Sequence, residues 1–177
     1  MVDTSFDTLD KVICESLIGL FAGNGVVLDA TAQNAEALDY TLAASIGFAG
    51  ESIRGMLVLT ADRPLVSASL APEVQSRVPT DASLCDWIGE LANQLLGRIK
   101  NRLLRYGVDF EMSIPSVVQG RNLKRALPDG SLSRKMAFTH ASGTVSLCFE
   151  ARAENLAKMM AETPALESLT EGEVMLF

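Results

Sequence analysis

The sequence predicts an α+β fold: one domain over residues 1–177, with an antiparallel-rich mixed sheet of about six strands packed by a long helix, an N-terminal helix and short helices. Three observations lead there. Apolar residues recur at helical spacing through residues 83–106, and they alternate with polar ones through 40–48 and 144–151. The elements also come in blocks of helix, strands, helix, strands, instead of the one-by-one alternation that builds a parallel sheet. A chain of 177 residues can bury about 70% of its unfolded surface, so its core requires no disulfide or metal.

The elements follow in order. In residues 7–21, Leu9, Val12, Ile13, Leu17, Leu20 and Phe21 share a helix face, and Gly23-Asn24-Gly25 stops the helix. Residues 26–30 read as a short strand. Tyr40, Leu42, Ala44, Ile46 and Phe48 alternate as the next strand, Gly50-Glu51 turns, and Ile53 with residues 56–59 forms its neighbour. Residues 63–79, carrying Pro64, Pro72 and Pro79, suggest a short helix between loops. The longest helix spans residues 83–106 and ends at Gly107, with Ser83 as N-cap. Asp86 and Glu90 lie early in it, and Arg98, Lys100, Arg102 and Arg105 late, an order that complements the helix dipole. Residues 108–118 read as a strand that carries Pro115 and closes at Gly120. A polar connection with a Pro128-Asp129-Gly130 turn follows, then a hairpin of residues 136–139 and 144–151. Residues 152–177 form a C-terminal extension, with a helix over 154–162 and either a frayed tail or a strand over 171–177.

Composition excludes several functions. The 22 Asp+Glu against 15 Lys+Arg leave a net charge of −7, which opposes nucleic-acid binding and attachment to an anionic membrane surface. The first residues are acidic and lack the basic and apolar regions of a secretory signal. Residues 13–28 are interrupted by Glu15, Gly19, Gly23, Asn24 and Gly25 and cannot span a bilayer. Cys14, Cys85 and Cys148 have no CxxC spacing and read as reduced thiols of a cytoplasmic protein. One histidine, His140, is too little for a histidine triad or a transition-metal site, so no metal and no cofactor are expected. GxSxG and GxxxxGK[ST] are absent, and Gly23-Asn-Gly25 lacks the third glycine of GxGxxG. The basic residues Arg121, Lys124, Arg125, Arg134 and Lys135 read as a solvated hairpin loop.

On a helical wheel, Leu84, Trp87, Ile88, Leu91, Leu95 and Ile99 form the core side of the long helix. Asp86, Glu90, Asn93 and Gly97 fall together within about 40° on the opposite side, pointing away from the sheet. Gly89 and Gly97 border this stripe. Glycine in an exposed helix costs about 1 kcal/mol against alanine, and a docking surface recovers that by close approach of a partner backbone. The alternative is a wet helix face with no role.

Asp86-x3-Glu90-x2-Asn93 on a long helix, then Gly97, then Met112-Ser-Ile-Pro115-Ser-Val-Val-Gln-Gly120, resembles the CheC/CheX family of chemotaxis phosphatases. More loosely, so do Ile46-Gly-Phe-Ala-Gly-Glu51 and Arg54-Gly-Met-Leu-Val58. The resemblance covers most of residues 5–150 and is sharp over 86–120. It implies a cytoplasmic phosphatase that dephosphorylates a CheY-type response regulator in chemotaxis or related two-component signalling. In two-site relatives the first helix repeats the signature. Here it offers Lys11-x3-Glu15-x2-Ile18, and an isoleucine cannot hold a water, so the resemblance is to the single-site CheX type. A homodimer joined through its sheets is implied as well.

For hydrolysis of an aspartyl phosphate, Asn93 is the candidate for positioning the attacking water, because an amide both donates and accepts hydrogen bonds. Glu90 is the candidate for pairing with a lysine of the receiver, and Asp86, Gly89 and Gly97 are candidate partner contacts. Mg²⁺ is expected in the partner receiver, not in this chain. The competing reading is a non-catalytic docking or scaffold module that binds a receiver domain or a flagellar switch component. A small-ligand sensor is a third, supported only by apolar residues that a core already explains.

Overall fold

The computed structural model describes residues 4–29, 41–71, 78–120 and 132–153. Its first element, α1 (Thr4–Gly23), closes where Gly25 takes a φ of 77°. That conformation is easy for glycine and costly for other residues. The expected strand at 26–30 is not formed among the described residues. Asp29 makes a single bridge to Thr139, with its N–H donating to the Thr139 carbonyl at 2.8 Å. Val26 and Leu28 are buried and Val27 is exposed, so the alternation is real but lacks a ladder to join.

Strands β1 (Thr41–Ala49) and β2 (Ile53–Asp62) form the expected antiparallel pair. The short helix α2 (Arg63–Ala68) follows, with Pro64 in its first turn, where the missing N–H has no intrahelical partner to lose. The long helix α3 (Asp81–Leu103) starts earlier than expected. Thr80, not Ser83, is its N-cap, its hydroxyl accepting the Ser83 N–H at 3.2 Å. A 3-10 turn (Leu104–Tyr106) and Gly107 at φ 72° end it. The strand expected at 108–118 is instead two pieces, β3 (Glu111–Met112) and β4 (Ser116–Gly120). The hairpin β5 (Leu132–His140) and β6 (Gly143–Ala153) is longer than expected and turns at Ala141 and Ser142. The expected helix at 154–162, the tail, the 128–130 turn, and Arg121, Lys124 and Arg125 lie outside the described residues.

Together these make a single α+β domain with a six-stranded antiparallel sheet ordered β3-β1-β2-β6-β5, with β4 also pairing β1. Register aligns the apolar face. Ile46 lies opposite Leu57 and Leu57 opposite Phe149, while Ala44 lies opposite Leu59 and Leu59 opposite Leu147, all of them buried. Phe48 stacks on Phe149 and meets Phe110 at a tilt, with ring centroids 5.0 and 4.8 Å away. Residues Leu84, Ile88, Leu91, Leu95 and Ile99 of α3 enter this core as the wheel predicts, and so do Ala92, Leu96 and Leu103. Trp87 is partly buried, and its indole N–H donates to Ser69 Oγ at 2.9 Å, tying α3 to the end of α2.

Helix α1 lies against α3. Arg102 reaches Glu15 at 2.6 Å, and Gly19 and Gly23 face the Arg98 guanidinium. Two of the basic loop residues are described: Arg134 pairs with Asp10 at 2.7 Å, and Lys135 is exposed. His140 ends β5, its Nδ1 accepting the Ser142 N–H at 3.0 Å. All three cysteines are free thiols. Among the described residues, no helix is long and apolar enough to cross a membrane.

Candidate functional site

The site grows from a defect in the sheet edge. Met112 pairs with Phe48 and Ser116 with Ser45, so residues 113–115 face only residues 46 and 47 of β1. One extra residue has been inserted, which bends the strand and re-aims its side chains. Pro115 belongs at such a place, because it has no N–H to give a ladder. Ser113 clamps the bulge: its N–H donates to the Gly47 carbonyl at 2.9 Å, and its hydroxyl accepts the Gly47 N–H at 2.9 Å. This is why an expected single strand became two.

The bulge stands beside α3. Between them lies an open cleft of about 470 Å³, lined by Cys85, Asp86, Gly89, Glu90 and Asn93 from the helix and by Ser113, Ile114, Pro115 and Val117 from the edge. The structure thus brings Asp86, Gly89, Glu90 and Asn93 together on one wall, and Gly97 is not part of the lining. The stripe does not simply face away from the sheet, since the bulged edge forms its second wall. Gly89 acquires an internal reason as well. It is buried, and a Cβ there would meet Val117 Cγ2 at 3.2 Å and Pro115 Cβ at 4.0 Å. Within the chain its close approach is to Val117 of β4 and to Pro115. A Cβ on Gly97 would meet nothing within 4 Å.

The polar groups are unequally committed. Glu90 is exposed, and its Oε1 accepts a hydrogen bond from Gln94 Nε2 at 2.8 Å, one turn along the helix. That leaves the second oxygen for a partner. Asn93 is half-buried, and its amide has no hydrogen-bond partner among the described residues. Among the described residues no cation lines the cleft, whereas Asp86 and Glu90 bring two carboxylates to it. Such a cleft repels a bare phosphate ester and favours a partner that carries its own positive charge. Among the described residues, no group of three or more His, Cys, Asp or Glu side chains could hold a metal ion.

Surrounding contacts tie α3 to its neighbours. Arg63, opening α2, forms an ion pair with Asp81 in the first turn of α3. The Arg63 guanidinium, with help from Gln119 of β4, holds the Asp81 carboxyl below the usual aspartate range. Gln119 also faces the Cys85 sulfur at 3.9 Å. Sequence reasoning did not place Gln94, Ile114 or Val117 at the site. A proline inside an otherwise strand-like run was the one signal for the bulge.

Several solved structures share this architecture. The chemotaxis protein CheX from Vibrio vulnificus is 21% identical, with a TM-score of 0.70 over 80% of this chain and 95% of that one. A CheC-like superfamily protein from Shewanella sp. PV-4 is 23% identical, with a TM-score of 0.72 over 86% and 99%. The CheX-CheY-BeF3-Mg complex from Borrelia burgdorferi is 15% identical, with a TM-score of 0.63 over 80% and 96%. At these identities the likeness establishes a shared fold. Comparison with curated proteins finds no match. The family model for the chemotaxis phosphatase CheX matches residues 42–139, from β1 through α3 and the bulged edge to β5, and on that match the chain belongs to the CheX family.

Proposed function

We propose that this protein accelerates hydrolysis of the aspartyl phosphate on a CheY-type response regulator, acting in the cytoplasm. The observation that carries the reading is the Asn93 amide, uncommitted among the described residues, beside a Gln94-held Glu90 on the cleft wall. Family membership supports the same chemistry. So does the solved CheX-CheY complex, a relative seated on a receiver.

The reaction requires a water in line with the scissile P–O bond. In this reading the Asn93 carbonyl accepts a hydrogen bond from that water and its NH₂ donates to a phosphoryl oxygen, holding oxygen and phosphorus in attack geometry. The water oxygen bonds to phosphorus, the acyl P–O bond breaks, and the receiver's carboxylate leaves. The water's protons pass to the released phosphate and to solvent. No general base with a shifted pKa is needed, because a carboxylate is a good leaving group. The receiver's own Mg²⁺ and lysine would balance the charge on the phosphoryl group, since no cation lines the cleft among the described residues. Glu90 pairs with that lysine through its free oxygen and sets the docking register. Asp86, one turn earlier and exposed, adds to the negative field that draws the basic partner in.

The deciding measurement is decay of acetyl-phosphate-charged receivers from the source organism with wild type, Glu90→Ala and Asn93→Ala. Acceleration by wild type that is lost in both variants is the expected result. A receiver panel that binds the protein while its decay stays unchanged would overturn the catalytic reading in favour of a docking module.

A further inference from the structure

Ile114 has no place in the core and is 87% exposed. An isolated exposed isoleucine requires no explanation. This one sits at the crest of a bulge that forfeits ladder pairing, and the chain immobilises it from both sides. Ser113 is clamped to Gly47 by two hydrogen bonds at 2.9 Å. Pro115 fixes its own φ, restricts the Ile114 backbone, and lies over Gly89, whose missing side chain lets α3 approach the arch. The apolar side chain is therefore held out in water by a rigid arch and lines the same cleft as Asp86, Glu90 and Asn93.

We infer that Ile114 is the apolar anchor of the partner-docking surface, packing against an apolar side chain of the receiver domain next to the cation that Glu90 engages. The identity of the partner rests on the phosphatase reading above. Two arguments carry the inference. A partner that reaches Asn93 with its phosphoryl group must enter between α3 and the bulge and so must cover Ile114. Among the described residues the cleft's charges, Asp86 and Glu90, are also of one sign and exposed, which steers a basic partner and sets its orientation but supplies little net affinity. Burial of a pre-held isoleucine supplies affinity without a cost for ordering the arch.

The test titrates beryllofluoride-charged receivers with the full chain as wild type, Ile114→Ala and Ile114→Met, and follows receiver-phosphate decay in parallel. Ile114 contributes nothing to the core, so Ile114→Ala is expected to fold normally. Its Kd and KM should rise about tenfold, which is 1.4 kcal/mol, with the saturated decay rate within about twofold of wild type. Ile114→Met should restore most of the loss by refilling the contact. If wild type accelerates decay and Ile114→Ala shows unchanged Kd and KM, the inference fails while the phosphatase reading stands. If wild type binds without accelerating decay and Ile114→Ala weakens that binding, the phosphatase reading fails and the anchor stands. A protein that binds no charged receiver overturns both. A change confined to the protein's own oligomeric state, read by sedimentation, overturns the inference by making a second copy the occupant.

Discussion

Helices α1 and α3 carry the same glutamate at the same point of a related pattern and put it to opposite uses. Glu15 of α1 is tied down on both oxygens, by Lys11 at 3.9 Å and by Arg102 at 2.6 Å. Three residues on, Ile18 packs against the core. Among the described residues, Glu90 of α3 accepts only from Gln94, and three residues on stands the uncommitted Asn93. The difference lies less in the helices than in what faces them. Helix α1 lies on α3, where a charge meets its counter-charge. The Glu90 side of α3 faces a bulged strand that opens a cleft. A site arises where a neighbouring element stops short, because there the fold leaves polar groups unspent.

The largest expected effect breaks the comparison at its centre. Asn93→Ala should lower the saturated rate of receiver dephosphorylation by about a hundredfold and leave receiver binding intact, since a misplaced attacking water costs about that much. Stopped-flow decay at saturating protein reads the rate, and titration reads the binding.

The next prediction sets the two glutamates against each other. Glu90→Ala should weaken receiver binding about tenfold. Glu15→Ala should leave binding and turnover unchanged and cost less than about 1 kcal/mol, as befits a half-exposed ion pair. Equal effects on binding would erase the asymmetry.

An attempt to build a second site on α1 sharpens the point. The double variant Lys11→Asp with Ile18→Asn should gain no turnover, because Arg102 still holds Glu15. It should cost about 1–3 kcal/mol, since a polar amide replaces an apolar side chain against the core. Denaturant unfolding reads the cost.

The two glycines of α3 divide in the same manner. Gly97→Ala has open space for its Cβ and should stabilise the helix by about 0.5–1 kcal/mol. Gly89→Ala brings its Cβ to 3.2 Å from Val117 Cγ2, so Val117 must give way, and it should gain less, with a lowered rate if the cleft widens. A fall in receiver affinity for Gly97→Ala would place a partner's backbone over that residue.

The smallest effect concerns a carboxylate removed from both helices. Asp62 is buried at the end of β2, its Oδ2 accepting the Thr144 N–H at 2.7 Å and its Oδ1 without a partner among the described residues. Burial pushes its carboxyl up, against the lowering effect of that hydrogen bond. A raised folded value means that the protonated form favours folding. The contribution is full below the ordinary aspartate range and is lost as pH rises through the raised value. Asp62→Asn should therefore be more stable than wild type at pH 7, by about 1 kcal/mol or less, and the gain should vanish as pH falls toward 4. Thermal unfolding across pH 4–7 checks the sign.

The α+β class and most element positions were legible because they rest on local periodicity. Leu9 to Phe21 and Leu84 to Ile99 repeat on one helical face, and Leu42 to Phe48 alternate, whatever they later touch. The grouping of Asp86, Glu90 and Asn93 was legible for the same reason, since 3.6 residues per turn places them together in any helix. The Thr80 cap was missed because Ser83, three residues on, has the same capping chemistry, and only the backbone shows which hydroxyl meets an orphan N–H.

Register and approach were beyond local reading. That residues 113–115 face only 46 and 47 depends on how β1 meets two separate strands, which no window of sequence contains. That Gly89 serves Val117 and Pro115 depends on how closely α3 lies to β4, over a gap of more than 20 residues along the chain. Residue types and their helical spacing set out the chemistry along one wall. The second wall, the cleft and the exposed crest at Ile114 came from tertiary packing, because an extra residue in an edge strand has meaning only against the partner strand that it fails to match.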